Sequence, residues 1–127
     1  MNQEEFLRII KEVASDETSF DPNGWNLDNP LWGHCAVVSL LAQEIFGGEL
    51  VKGSISGNTK YPYIKSHIWN KIDNKDIDFT AEQYDDLSYK DLTGTISSRD
   101  SILNYPDTLR RFDLLKERFI SAQGSSK

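Results

Sequence analysis

The feature that most constrains the fold of this chain is an almost uninterrupted apolar segment that runs from Ala36 to Phe46. A helix that is apolar on nearly every side is normally buried in the middle of a domain. Gly47 and Gly48 follow directly, and glycine readily adopts the left-handed conformation that ends a helix. The segment therefore predicts a buried central helix around which the rest of the chain must pack.

The only cysteine, Cys35, directly precedes this segment, after a loop that ends at Gly33. The first N–H groups of a helix have no partner within the helix, and the helix macrodipole favours negative charge at that end. Such surroundings lower the pKa of a thiol and increase its reactive thiolate fraction. The sequence thus makes Cys35 a candidate nucleophile. The alternative is that it acts only as a small hydrophobic residue, as most buried cysteines do.

The chain as a whole has the size and composition of one soluble globular domain. It has 127 residues, 38% hydrophobic and 27% charged, which is enough for a core without disulfides or metals. We expect a single domain over residues 1–123 and a disordered tail over residues 124–127. The formal charge of −6 argues against nucleic-acid binding, which needs clustered Lys and Arg side chains.

No segment indicates export or insertion into a membrane. The N-terminus is polar and acidic, and no window approaches the roughly 18 apolar residues that a membrane span requires. A single cysteine cannot form an internal disulfide, so nothing points to an oxidising compartment. We therefore expect a bacterial cytoplasmic protein, a monomer or weak dimer, with no cofactor, no nucleic-acid partner and no membrane partner.

Helices are predicted at both ends of the chain as well as in its centre. Apolar residues at helical spacing predict a first helix over residues 3–14, followed by a long polar loop over residues 15–30. Near the C-terminus, Ser97 or Ser98 can cap a short helix, and Pro106 opens a longer one. With strands between the central and the last helices, this order of elements predicts an α+β fold.

Three strands are expected between these helices, over residues 49–55, 64–72 and 76–80, with a turn at residues 56–60. Asp73-Asn74-Lys75 has the composition of a tight turn, so the second and third strands should form a hairpin.

The register of this hairpin decides whether His67 and Asp78 can meet. If Ile72 faces Lys75, then His67 faces Thr80, and Asp78 lies one diagonal step away on the same face of the sheet. A register slip of one residue would place the two side chains on opposite faces.

A cysteine nucleophile needs a base that takes its proton and a third group that orients the base. Cys35, His67 and Asp78 are the residue types required, and they follow one another as helix start, second strand and third strand. Each also has a structural interpretation: a single strand histidine can be a hydrogen-bonded core residue, and Asp78 can simply bind a backbone amide.

Acyl transfer also requires hydrogen-bond donors for the developing oxyanion. The backbone N–H of Cys35 and the side chain of Asn29 are candidates, whereas Asn70 should face away from His67 on strand parity. A zinc site built from His34, Cys35, His67 and Asp78 is disfavoured, because His34 and Cys35 are adjacent and no CxxC or HxxxH spacing occurs. We therefore expect no metal.

Several motifs distributed over the chain carry a family resemblance: Asn29-Pro30, Gly33-His34-Cys35-Ala36-Val37, Ser66-His67, Asp76-Ile77-Asp78-Phe79-Thr80 followed by Gln83, Ser98-Arg99-Asp100 and Asn104-Tyr105-Pro106-Asp107. They resemble the bacterial YunG-like proteins, a small and largely uncharacterised family. The resemblance extends from about Trp25 to Arg118. One departure is that the residue before the cysteine is typically Gln in that family and is His34 here. His34 is either a polar group of the site or simply a residue at the start of the helix.

The order Cys, His, Asp, with the thiol on a buried helix and the other two on strands, also resembles the papain-like and transglutaminase-like superfamily. This more distant resemblance implies a central helix with an N-terminal cysteine packed on a small antiparallel sheet, with flanking helices. It also implies Cys35 as nucleophile, His67 as base and Asp78 as the orienting carboxylate.

We expect an enzyme that transfers acyl groups through Cys35, such as an amidase, peptidase, deamidase or transglutaminase-like protein. We assign Asn29, His34 and Trp32 to oxyanion or substrate binding. The substrate would be an unidentified peptide, amide or small molecule. The alternative is a catalytically inactive member of the same fold that acts as a binding or interaction protein.

Overall fold

The computed structural model of this protein describes residues 1–55, 64–85 and 87–125, except for the side chain of residue 125. Its helices and strands occur in the order α1 (Gln3–Val13), α2 (Cys35–Phe46), β1 (Glu49–Ser54), β2 (Ser66–Ile72), β3 (Lys75–Ile77), β4 (Gly94–Ser97), α3 (Arg99–Leu103) and α4 (Pro106–Ser125). Short 3-10 helices lie at Asp16–Thr18, Ala81–Gln83 and Tyr89–Asp91. The fold is α+β, as the sequence predicted.

The four strands form one antiparallel sheet with the spatial order β3-β2-β1-β4. Strands β2 and β3 form the predicted hairpin, with Ile72 opposite Lys75 as expected. Asp73 and Asn74 close it with positive φ angles of 50° and 64°, a conformation that Asn and Asp tolerate better than most residues. The register on which the His67–Asp78 argument rests is therefore confirmed.

Helix α2 is the buried central helix that the apolar segment predicted. Six consecutive residues from Val37 to Ala42 are buried. The helix packs on β2 and is flanked by α4, which in turn packs against α1. Asn70 links the helix to the sheet by donating to the carbonyl of Ser39 at 2.9 Å. The core around this helix consists mainly of Phe6, Ile9, Ile10, Leu31, Leu40, Leu50, Ile68, Phe112, Leu115 and Phe119.

Strand β4, at the edge of the sheet, was not predicted. Its four residues are mostly exposed and contain a single large apolar residue, Ile96, so they show no alternating pattern. Helix α4 continues through Gly124 to Ser125, into the segment for which we predicted a disordered tail, because glycine weakens a helix without ending it. The predicted turn at residues 56–60 lies outside the described residues. No described helix has the length and apolarity needed to cross a membrane.

Candidate active site

Cys35 is the first residue of α2 and is partly exposed, at the point where the polar loop meets the core. The preceding turn is fixed by Gly33, which has a φ of +74° and whose backbone atoms pack closely against the loop at Ser19 and Phe20. The carbonyl of Gly33 accepts a hydrogen bond from the Phe20 N–H at 2.8 Å. The local geometry therefore holds the thiol in the first turn of a buried helix, as the sequence predicted.

His67 and Asp78 form a short, buried pair. The distance from Nε2 of His67 to Oδ2 of Asp78 is 2.6 Å, and their side chains are only 1% and 4% exposed. His67 lies near the start of β2, and Asp78 directly follows β3, so the hairpin brings them together. The carboxylate accepts a hydrogen bond from the Nε2–H group and thereby fixes the orientation of the ring.

The other side of the His67 ring interacts with Cys35. Among the described residues, Nδ1 of His67 has no hydrogen bond of standard geometry, to sulfur included. The thiol of Cys35 is nevertheless close enough to the ring for each group to shift the pKa of the other. The structure therefore brings together the three residues that the sequence selected, with the imidazole between the sulfur and the carboxylate.

The electrostatics of this trio favour a charged cysteine–histidine pair. Burial by itself would lower the pKa of His67, because it disfavours the charged ring. The hydrogen bonds and charges of Asp78 and Cys35 outweigh burial and raise the pKa of His67 to about 10. Burial raises the pKa of the Cys35 thiol, but the hydrogen bond and charge of His67, together with a backbone hydrogen bond from Ile68, bring that pKa below its ordinary value. Both pKa shifts therefore favour the charged pair, thiolate and imidazolium, over the neutral pair.

Aromatic rings enclose His67. Trp69 stacks against it with ring centroids 5.9 Å apart, and Tyr84 approaches edge-on at 5.3 Å. Trp32, one of the predicted substrate-binding residues, packs on Tyr84 at 6.0 Å and donates its indole N–H to Asp21. This packing excludes water from the imidazole, which strengthens its interactions with both charged neighbours.

Gln83 connects the residues around Asp78 to the loop that leads into Cys35. Its Nε2 donates to Oγ1 of Thr80, whose backbone N–H and hydroxyl lie within hydrogen-bond distance of Oδ1 of Asp78. Its Oε1 accepts from the N–H of Gly33 at 3.0 Å, and its backbone carbonyl accepts from the side chain of Asn29 at 3.1 Å. Gln83 is buried and therefore acts as a brace between the two halves of the site.

His34 is fully buried beside the site and is not a free polar group. Its Nδ1 donates to the carbonyl of Trp32 at 2.8 Å, and its Nε2 accepts from the hydroxyl of Thr18 at 2.6 Å. Burial, followed by the charge of Arg111, lowers the pKa of His34 to about 4, against the raising effect of the Trp32 carbonyl. With both nitrogens engaged, His34 anchors the loop, and this geometry offers no donor to a substrate.

The other predicted donors lie in different surroundings. Asn29 uses its amide to hold Gln83, as described above. Asn70 faces α2, on the opposite side of β2 from His67, as strand parity required. The backbone N–H of Cys35 lies in the first turn of α2, where helical N–H groups have no partner within the helix. Of the candidate oxyanion donors, it is the one that lies beside the sulfur.

Sequence reasoning placed Gln83 among the residues that carry the family resemblance but assigned it no role in the site, because a single glutamine in a loop has no distinctive local pattern. We expect Gln83→Leu to cost about 2–3 kcal/mol of unfolding free energy, since it leaves buried polar groups without partners. It should also slow alkylation of Cys35 at pH 7, because the loop and the acid are no longer braced. Chemical denaturation and a pH–rate profile of alkylation measure the two effects.

Gln43→Leu is the matched control for this prediction. Gln43 is partly exposed and donates to the carbonyl of Gly48, at the far end of α2 from Cys35. Groups that it leaves free can be rehydrated, so we expect a cost of about 0.5 kcal/mol and an unchanged alkylation profile. Equal alkylation profiles in Gln83→Leu and Gln43→Leu would contradict the bracing role.

The candidate site thus consists of a cysteine, a histidine and an aspartate held on an α+β fold. The family model described as YunG protein matches residues 2–124, and the chain therefore belongs to the YunG family. No curated protein and no solved structure gives a significant match. Within the described residues, no three His, Cys, Asp or Glu side chains are grouped so that they could hold a metal ion.

Proposed function

We propose that this protein is a cysteine-dependent acyl-transfer enzyme that uses Cys35 as nucleophile, His67 as acid and base, and Asp78 as the orienting carboxylate. The observation that carries this proposal is the buried His67–Asp78 pair at 2.6 Å, with Cys35, a partly exposed residue, interacting with the same imidazole. A structural histidine would not need a thiol on one side and a carboxylate on the other.

The first half of the reaction forms a thioester. The Cys35 thiolate attacks the carbonyl carbon of an amide or ester, and a carbon–sulfur bond forms. The backbone N–H of Cys35 lies where it can stabilise negative charge on the carbonyl oxygen. When the intermediate collapses, the bond to the leaving group breaks, and the imidazolium of His67 gives its Nδ1 proton to that group.

The second half releases the acyl group. Neutral His67 accepts a proton from water or an amine, which attacks the thioester carbonyl. The Cys35 thiolate then departs, and the thiolate–imidazolium pair is restored. Asp78 accepts the Nε2 hydrogen bond throughout, so the ring keeps its tautomer and its orientation.

Acylation by 4-nitrophenyl acetate tests this proposal without knowledge of the natural substrate. We expect a burst of nitrophenolate with acetylation of Cys35, at a rate about a hundredfold or more above that of N-acetylcysteine at pH 7. Stopped-flow absorbance and intact-protein mass measure the two products. Cys35→Ala should remove both.

The catalytically inactive alternative predicts a different outcome of the same assay. The observation that favours it is the near-complete burial of His67 and Asp78, which leaves Cys35 as the partly exposed member of the trio. In an inactive binding protein, Cys35 would acylate no faster than N-acetylcysteine. That result would refute the enzymatic proposal.

A further inference from the structure

A shallow polar depression of about 410 Å³ lies on the sheet, at the end where β2 begins. Its walls come from β1, β2, the residue before β2, and the segment around β4. The lining residues are Lys52, Gly53, Ser54, Lys65, Ser66, Thr93 and Thr95. They include two ammonium groups and four hydroxyl groups, which is the donor set of a site for an oxyanion.

The strand register places this depression on the face of the sheet that carries α2. Leu50 pairs with Asn70, whose side chain binds α2, so the residues of this pair point toward the helix. Side chains two residues apart share a face, so Lys52 and Ser54 point the same way as Leu50. The paired residues of neighbouring strands, Ser66 and Thr95, share that face.

Helix α2 covers only part of this face, and it begins at Cys35. Ser39, one turn further along the helix, lies over Ile68 and Asn70. Cys35 itself interacts with the backbone of Ile68, which is paired with Lys52. Adjacent strands are about 4.8 Å apart, so the backbone of Lys52 lies roughly one strand away from the strand that the thiol touches. The depression occupies the part of the face that the helix leaves uncovered.

The charge of the depression contrasts with that of the chain. The whole protein has a formal charge of −6, whereas the two charged side chains that line the depression are both lysines. In the part of the chain that the structure describes, neither Lys52 nor Lys65 forms an ion pair.

We propose that this depression is a substrate subsite that binds an anionic oxygen group, carboxylate or phosphate, on the molecule that Cys35 attacks. The inference rests on the proposed acyl-transfer function. It gives the substrate class as an amide or ester that carries a negative group a short distance from the reacting carbonyl. Lys52 and Lys65 supply the charge, and the Ser and Thr hydroxyls supply additional hydrogen bonds.

Two iodoacetamides that differ only in the amide substituent test the subsite. One carries an N-butyl group and the other an N-(3-carboxypropyl) group. In both, the Cys35 sulfur forms a bond to carbon and iodide leaves. We expect the carboxylate reagent to alkylate Cys35 about tenfold faster than the butyl reagent at low ionic strength, because a cleft of one charge sign concentrates the opposite ion.

The double variant Lys52→Gln/Lys65→Gln should bring the ratio of the two rates close to one, and the ratio corrects for any change in the reactivity of the thiol itself. Lys75→Gln is the matched control, since it removes a positive charge from an exposed lysine beside the hairpin turn. Lys75 pairs with Ile72, at the opposite end of β2 from Ser66, roughly 20 Å away. The ratio should stay at its wild-type value in this control.

Nuclear magnetic resonance titration with glutarate and, separately, inorganic phosphate tests binding without any reaction of the thiol. We expect the amide signals of Gly53, Ser66 and Thr95 to shift in wild type and not in the double variant, and the stronger ligand identifies the anion. Equal rate ratios in wild type and the double variant, or no shift with either anion, would overturn the subsite. Slow alkylation by the butyl reagent with normal shifts would instead overturn only the acyl-transfer function.

Discussion

Alkylation of Cys35 by iodoacetamide at pH 6.5 should fall by about a hundredfold or more in His67→Gln. In the wild-type protein, His67 holds the pKa of the thiol below its ordinary value. Burial is the largest single influence on this thiol, and without the imidazolium to offset it, burial raises the pKa of Cys35. Each unit of pKa above the working pH reduces the thiolate fraction tenfold. Glutamine keeps an N–H donor for Asp78, so the buried carboxylate retains a partner.

The pH–rate profile of alkylation shows whether His67→Gln raises or lowers the pKa of Cys35. Because His67 lowers the pKa of the Cys35 thiol, the wild-type rate should reach its plateau at a lower pH than the rate in His67→Gln does. The rate in His67→Gln should rise only in the alkaline range. Wild type unfolded in urea provides the control, because its thiol has an ordinary pKa. Superimposable profiles for wild type and His67→Gln would contradict the thiolate–imidazolium pair.

The unfolding free energy should decrease by about 3 kcal/mol or more in Gly33→Ala. A φ of +74° is unfavourable for alanine. The added Cβ would also overlap the hydroxyl of Ser19 and lie 2.8 Å from the backbone nitrogen of Phe20. The same turn donates the Gly33 N–H to Gln83, so a shift there displaces the loop that leads into Cys35. Urea denaturation measures the loss of stability.

Gly47→Ala separates backbone strain from lack of space. Gly47 has a similar φ of +78°, but a Cβ at this position would meet nothing within 4 Å. We therefore expect it to cost about 1–2 kcal/mol, from the backbone conformation alone. Equal losses in the two variants would show that the contacts of Gly33 with the loop do not contribute to stability.

The parts of the fold that were predicted from sequence are those with a local physical cause. The apolar segment after Cys35 is stable as a helix only when it is buried. Gly47 and Gly48 end the helix because glycine adopts positive φ angles without a steric penalty. The Asp73-Asn74 turn fixes the register of β2 and β3, so the alignment of His67 with Asp78 followed. Strand β4 has no such cause, because its residues are mostly exposed and it forms by pairing with β1.

The site was predictable to the extent that chemistry restricts residue types. One cysteine and two histidines left few combinations, and the hairpin register selected His67. The roles of Gln83 and His34 could not be predicted, because they depend on contacts between segments distant in sequence. Gln83 contacts Gly33, fifty residues earlier, and His34 contacts Thr18. His34 was expected to bind oxyanion or substrate, whereas both of its ring nitrogens bind groups of the protein itself.

The placement of Cys35 on a helix, with His67 and Asp78 on a later hairpin, has a consequence for the protein during its synthesis. The sulfur leaves the ribosome well before the imidazole and the carboxylate. A nascent or misfolded copy therefore carries an ordinary thiol, protonated at physiological pH and slow toward electrophiles and oxidants. On the proposed function, the thiol becomes reactive only in the folded protein, so alkylating agents and oxidants should modify folded copies faster than copies still being made.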